Sequence, residues 1–215
     1  MNNEMIFAVV ALLNSVILVF SMTNLLIRSP KKSTRVVVII YLLACQLCFG
    51  RSMGQNITFF TIGGAFLLVI LMEKHPIANT VMLSLGYLLA VTINYILTVP
   101  LNLLGYTLAF IAGYPYILIF MAVYGPLSLT ASFFLGRFIK NFFKKYYPVF
   151  PLKLQILFLF QLLFCVTICI YNIIQGGKEN FPPKVVYFNS VLFITFFLIT
   201  LVIFFFCLHI MRKNS

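Results

Sequence analysis

The stretch Gly136-Arg137-Phe138-Ile139-Lys140-Asn141-Phe142-Phe143-Lys144-Lys145-Tyr146-Tyr147, continuing to Lys153, is the densest charge cluster in a chain of which only 8% of residues are charged. Long apolar runs flank it on both sides. Lys and Arg interleaved with Phe and Tyr are the composition of a membrane–water interface. The cations stay hydrated or meet anionic lipid heads, and the rings sit at headgroup level. The stretch therefore predicts a basic cytoplasmic loop, with Arg137, Lys140, Lys144, Lys145 and Lys153 as anchors at the inner leaflet. A solvated linker would not need the aromatic content. Once this loop has a side, every other loop acquires one.

Composition sets the class. The chain is 63% hydrophobic with a mean hydropathy of +1.11, whereas a soluble domain is about half apolar and a quarter charged. Strands of a membrane barrel would alternate polar and apolar residues. Here the apolar runs are continuous and reach roughly 20 residues, the length of a bilayer-crossing helix. The expected fold is an all-α integral membrane protein, a bundle of six or seven transmembrane helices in the cell membrane. The net charge of +12 comes from fifteen Lys and Arg against three acids. These cations sit in short segments between apolar runs and not on one soluble face, which argues for membrane topology and against a nucleic-acid partner.

The predicted spans are 5–27, 36–50, 57–72, 80–99, 116–135, 154–174 and 185–210. Pro30 follows the first and Pro100 is expected to stop the fourth. Spans two and three are short, so both cross a locally thin region or they form one re-entrant hairpin. Leu101–Pro115 carries Gly105, Gly113 and Pro115 and is expected to be an interfacial loop or half-helix. A kink is expected at Gly125-Pro126. Met1-Asn2-Asn3-Glu4 lacks the positive start of a signal peptide, so the first span is expected to be retained.

Charge fixes the orientation. With the N-terminus outside and seven alternating spans, Arg28, Lys31, Lys32, Arg35, Lys74, Arg137, Lys140, Lys144, Lys145, Lys153, Arg212 and Lys213 lie inside. Only Arg51, Lys178 and Lys184 lie outside. That asymmetry places the C-terminus in the cytoplasm, and merging spans two and three as a hairpin leaves the heavily charged segments on the same side.

Catalytic chemistry has little to work with. The acids are Glu4, Glu73 and Glu179, each near a span end, and no two of them form an acid–base pair in this order of spans. His75 and His209 lack the companions of a metal site. Cys45, Cys48, Cys165, Cys169 and Cys207 all fall inside predicted spans; the odd count and apolar setting argue against a disulfide framework. Cys45-Gln46-Leu47-Cys48 matches C-x-x-C in form only. No catalytic residue, metal ligand or cofactor is expected. No ionisable group is placed securely at mid-depth, which argues against ion-coupled transport.

What remains are polar residues near the outer face. These are Arg51, Gln55 and Asn56 between spans two and three, and Asn94, Asn102 and Tyr106 at the end of span four and beyond it. Tyr114 and Tyr116 open span five, and Asn172, Gln175, Lys178 and Phe181 lie between spans six and seven. Tyr and Asn beside apolar walls suit a small amphipathic ligand. Read singly, each is better explained as an interfacial anchor or a hydrogen-bonded span end than as a ligand contact.

The segment order resembles the membrane sensor region of accessory-gene-regulator-type quorum-sensing histidine kinases, over nearly the whole chain. The likeness rests on a long first span with a basic loop, two short spans, and a long fourth span with Asn94-Tyr95. It continues with the basic stretch Gly136–Lys145 and a Phe-rich last span leading into His209-Ile210-Met211-Arg212-Lys213. The resemblance implies a bacterial receptor for a secreted, often cyclic, peptide pheromone. It also implies a homodimer whose last span continues into a cytoplasmic kinase. The chain departs from that family at Ser215, with no phospho-accepting His followed by an acid and no ATP-binding boxes, so a non-enzymatic sensor module is expected. The alternative expectation is the substrate-binding membrane subunit of a vitamin-type importer, whose basic stretch would touch partner subunits. A lipid-handling scaffold is a third.

Overall fold

A computed structural model of the chain describes residues 3–26, 30–53, 57–73, 76–104, 115–146, 152–176 and 183–213. Seven helices account for nearly all of them: α1 (Asn3–Thr23), α2 (Lys32–Met53), α3 (Ile57–Met72), α4 (Pro76–Leu103), α5 (Tyr116–Tyr146), α6 (Leu152–Gly176) and α7 (Pro183–Lys213). The fold is all-α. Among the described residues, three helical stretches are long and apolar enough to cross a membrane: Glu4–Thr23, Asn79–Thr98 and Tyr116–Phe138. Shorter apolar stretches lie in α3, α6 and α7 (Thr61–Met72, Leu159–Ile168 and Val191–Ile203).

The helices correct several expected boundaries. The basic stretch is no loop as far as Tyr146: α5 runs unbroken through Gly136, Arg137, Lys140, Lys144 and Lys145. Lys and Arg are good helix formers, and nothing in Gly136–Tyr146 carries the Pro or Gly run needed to stop a helix already under way. Pro126 and Pro100 also lie inside helices, α5 and α4. Pro100 therefore does not end the fourth helix, which continues to Leu103. Apolar surroundings withhold the water that would compete for backbone groups freed by a proline. Helix α2 begins at Lys32 and is not short; Arg35 stands in its first turn and Arg51 in its last.

Helix α4 is the centre. It packs against α1, α3, α5, α6 and α7. Every residue from Val81 to Leu88 is buried. Its partners complete one core of Val19, Met22, Leu42, Val69, Met82, Leu88, Leu162, Phe193 and Phe197, with Tyr87 edge-on to Phe66.

Helix α1 approaches two neighbours at backbone distance. A Cβ on Gly86 of α4 would stand 2.6 Å from the Met22 Cα and the Ser21 carbonyl oxygen. One on Gly136 of α5 would stand 2.5 Å from the Asn24 carbonyl oxygen. The obstacle is backbone in both cases, so no rotamer change relieves it. Ser15, Ser21, Ser84, Ser128 and Ser132 are buried too. Small hydroxyl residues thus sit among the large apolar side chains of the core, while Phe133, Phe134, Phe160, Phe164, Phe188, Val202 and Phe206 are exposed. So much large apolar surface facing outward is unlike a water-soluble monomer.

Long-range contacts give each helix a direction. Asn24 meets Ser132 and Ile17 meets Gly125, so α1 and α5 run parallel. Gln161 meets Thr200 and Phe164 meets Phe196, so α6 and α7 are antiparallel. Phe138 lies edge-on to Phe205 at 5.9 Å, bringing the late parts of α5 and α7 together. Glu73, after α3, meets Lys31 and Thr34 at the start of α2. The starts of α2, α4 and α6 and the ends of α1, α3, α5 and α7 thus share one end of the bundle.

Gly86→Ala should cost about 1–3 kcal/mol through forced backbone separation. Gly63→Ala meets nothing within 4 Å and should be neutral or stabilise by up to about 1 kcal/mol. Thermal unfolding of the two variants in detergent checks this; equal midpoints would contradict the close-packed α1–α4 contact.

Candidate functional site

The two ends of the bundle differ in chemistry. One gathers Lys31, Lys32, Arg35, Arg137 and Lys140, with the backbone positions of Lys144 and Lys145 late on α5, Lys153 early on α6, and Arg212 and Lys213 at the end of α7. The opposite end carries the start of α1 and, among the described residues, Arg51, Asn102, Tyr116, Asn172 and Gln175 of the positions expected to meet a ligand.

At that opposite end, Arg51 closes α2, Asn102 lies near the end of α4, and Asn172 and Gln175 lie in the last turns of α6. Tyr116 opens α5 and is exposed. The fold brings these helix ends to one side. The side chains of Arg51, Asn102, Asn172 and Gln175 lie outside the description, and Gln55, Asn56, Tyr106, Tyr114, Lys178 and Phe181 lie outside the described residues. Asn94 sits deeper, about five turns from the start of α4, half-buried. Its neighbour Tyr95 packs edge-on against Phe193 of α7 with ring centroids 5.7 Å apart. Asn94 therefore adjoins the α4–α7 contact.

The more completely built constellation is at the basic end. Arg35 Nε donates to Thr23 Oγ1 at 3.0 Å, and a terminal guanidinium nitrogen donates to Asn24 Oδ1 at 3.2 Å. The guanidinium carbon lies 4.7 Å from the centroid of the Phe20 ring, within cation–π range. Asn24 Nδ2 donates onward to Ser132 Oγ at 3.2 Å. Thr23 and Ser132 spend their own hydroxyl protons on Val19 and Leu129 carbonyls, so each oxygen is oriented to accept. Beside this chain, Glu73 Oε1 accepts from Thr34 Oγ1 at 2.7 Å and from the Lys31 backbone N–H at 3.1 Å. Its carboxylate caps the start of α2 from another helix, where negative charge also meets the positive end of the helix dipole.

Burial lowers the pKa of Arg35 below its ordinary value, but a guanidinium titrates so far above neutrality that the charge stays. Residue order alone puts Arg35 in a loop and gives Glu73 no partner. The legible signal is that both fall on the same side of the topology. The residues tying them to α1 and α5 are Thr, Asn and Ser, which carry no charge pattern to betray them.

No protein-family model, curated protein or solved structure matches this chain. The chemistry of the site is therefore read from its own geometry. The basic end can hold negative charge; the opposite end offers the ends of several helices, with the Asn94–Tyr95 pair leading from them to the last helix.

Glu73→Ala removes both cap bonds and should destabilise by about 1–2 kcal/mol, a partly exposed site discounting the usual value for charged hydrogen bonds. Glu73→Gln keeps an acceptor oxygen and should lose less than half of that. The comparison is of detergent melting midpoints; equal losses would mean that the bonds to Thr34 and Lys31 contribute little.

Proposed function

We propose that this chain is a multi-pass membrane receptor module with its N-terminus outside and its basic end in the cytoplasm. It takes a secreted peptide at the outer end and passes the signal through α7. Membrane residence is supported by the exposed Phe and Leu side chains and by the close glycine crossings at Gly86 and Gly136. Orientation is supported by the cations gathered at one end, and the alternating helix directions support seven crossings.

The observation that carries the receptor reading is the attachment of α7. Phe193, Phe197 and Thr200 are buried against the bundle, while Leu192, Leu198, Ile199, Val202, Ile203 and Phe206 are exposed. One narrow face therefore holds the helix. Tyr95 grips it from α4, Gln161 from α6 and Phe138 from α5. Each aromatic pair contributes about 0.5–1.5 kcal/mol, so a ligand that binds one packing of α7 more tightly by a few kcal/mol shifts the balance. Asn94, beside Tyr95, gives an outer-end ligand a route to that contact. The homodimer and the cytoplasmic kinase region belong to the resemblance and complete this reading.

The importer-subunit reading shares the outer-end polar groups but gives the Phe138–Phe205 contact no task. Copurification with an ATPase, or a vitamin retained through purification, would favour it.

With labels at Lys140 and Lys213, a saturating cognate peptide should change the distance between α5 and α7. Tyr95→Ala should change or broaden that distance without peptide. A spin-label distance distribution unmoved by both would refute signalling through α7.

A further inference from the structure

We propose that Arg35 is the seat of a phosphate-binding site for an anionic lipid headgroup, built where α1, α2 and α5 meet at the basic end. The inference rests on the membrane reading but not on the receptor reading.

The guanidinium is held in place from two sides. Thr23 and Asn24 of the α1 terminus accept from it, the Phe20 ring lies against it, and Ser132 of α5 fixes Asn24. Every one of these partners is neutral. Glu73, the acid nearest in the fold, is occupied by Thr34 and the Lys31 N–H. Among the described residues no carboxylate is bonded to Arg35. A half-buried guanidinium has lost part of its hydration, and neutral acceptors replace only part of it.

Two bonds leave a guanidinium with donors to spare, set in a rigid fork that matches phosphate oxygens. The surroundings favour an anion. Lys31, just before α2, and Lys32, its first residue, are exposed about a turn before Arg35, and Arg137 is exposed on α5 beside Gly136, the residue that packs on Asn24.

The surface next to the site distinguishes a lipid from free phosphate. Val36, Val37 and Ile40, which follow Arg35 on α2, are 53%, 40% and 60% exposed. Acyl chains of a lipid whose phosphate sits on Arg35 would cover them. The occupied site would join α1, α2 and α5 through one phosphate, and binding to the folded state stabilises it.

The test uses the full chain, delipidated in a neutral detergent. Phosphatidylglycerol, phosphatidylcholine and inorganic phosphate are titrated separately, with the melting midpoint and retained lipid (by native mass spectrometry) as readouts. Phosphatidylglycerol should raise the midpoint and remain bound; phosphatidylcholine should do neither. Asn24→Asp places a carboxylate on the guanidinium, while losing the donor to Ser132, and should weaken phosphatidylglycerol about tenfold, the loss of one charged hydrogen-bond pair. Arg35→Lys keeps the charge but loses the fork and should weaken the lipid similarly, which keeps the test decisive if Asn24→Asp does not fold. Arg137→Gln should retain most of the response.

Equal responses to the two lipids would overturn the proposal, as would a full response in Arg35→Lys. A full response to inorganic phosphate would overturn the lipid assignment. Insertion into phosphatidylcholine vesicles, followed by flotation, tests the membrane reading separately: inserted protein without headgroup preference sinks the site only, and protein that does not insert sinks both.

Discussion

The close approach of α1 to its two neighbours is the constraint on which the other contacts depend. Gly86 brings the α4 backbone onto Met22 and Ser21, and Gly136 brings α5 onto Asn24. In hydrocarbon, helices gain little from hiding apolar surface from one another, because lipid is equally apolar. Dispersion contacts at short range and hydrogen bonds between helices must hold them together. A glycine at each crossing shortens that range. It also sets the register by which Asn24 reaches Ser132 and Arg35 reaches Thr23 and Asn24.

The polar residues then divide into two kinds. Ser15, Thr92 and Thr98 return their hydroxyl protons to the carbonyl one turn back, which lets them sit among apolar neighbours without an unsatisfied donor. Thr23 and Ser132 do the same but keep a lone pair for another helix. That second bond converts small filler residues into joints between α1, α2 and α5. Glu73 extends the same end to α3 by capping α2.

The opposite design holds for α7. Its core side is narrow and aromatic, its remaining surface is exposed, and its contacts come from α4, α5 and α6 at different depths. A helix fastened by rings in edge-to-face contact can re-pack by small rotations, whereas α4, buried over two continuous turns, is fixed on all sides. Within the proposed receptor, the rigid and the adjustable elements are therefore different helices, touching at Tyr95 and Phe193.

Much of the fold was legible from residue order. Continuous apolar runs require helices, because backbone groups in an apolar medium must pair within their own segment, and the run 57–72 matches α3 at both ends. Charge gathered in alternate connecting segments, so the basic end was legible too. Residue order could not say that the basic stretch continues α5 or that Pro100 is carried inside α4, since both depend on surroundings that suppress helix breaking. Of the candidate residues, Arg51, Asn102, Tyr116, Asn172 and Gln175 were legible as positions at helix ends; the Arg35–Thr23–Asn24–Ser132 chain was not. Its members are up to 109 positions apart, and neutral hydroxyls and amides acquire meaning only when a backbone crossing brings them within hydrogen-bond distance. The sequence by itself determined helices, their order and a charged end. Only the tertiary structure decided which glycines are crossings and which neutral groups hold Arg35, because both are properties of distance between segments and not of either segment.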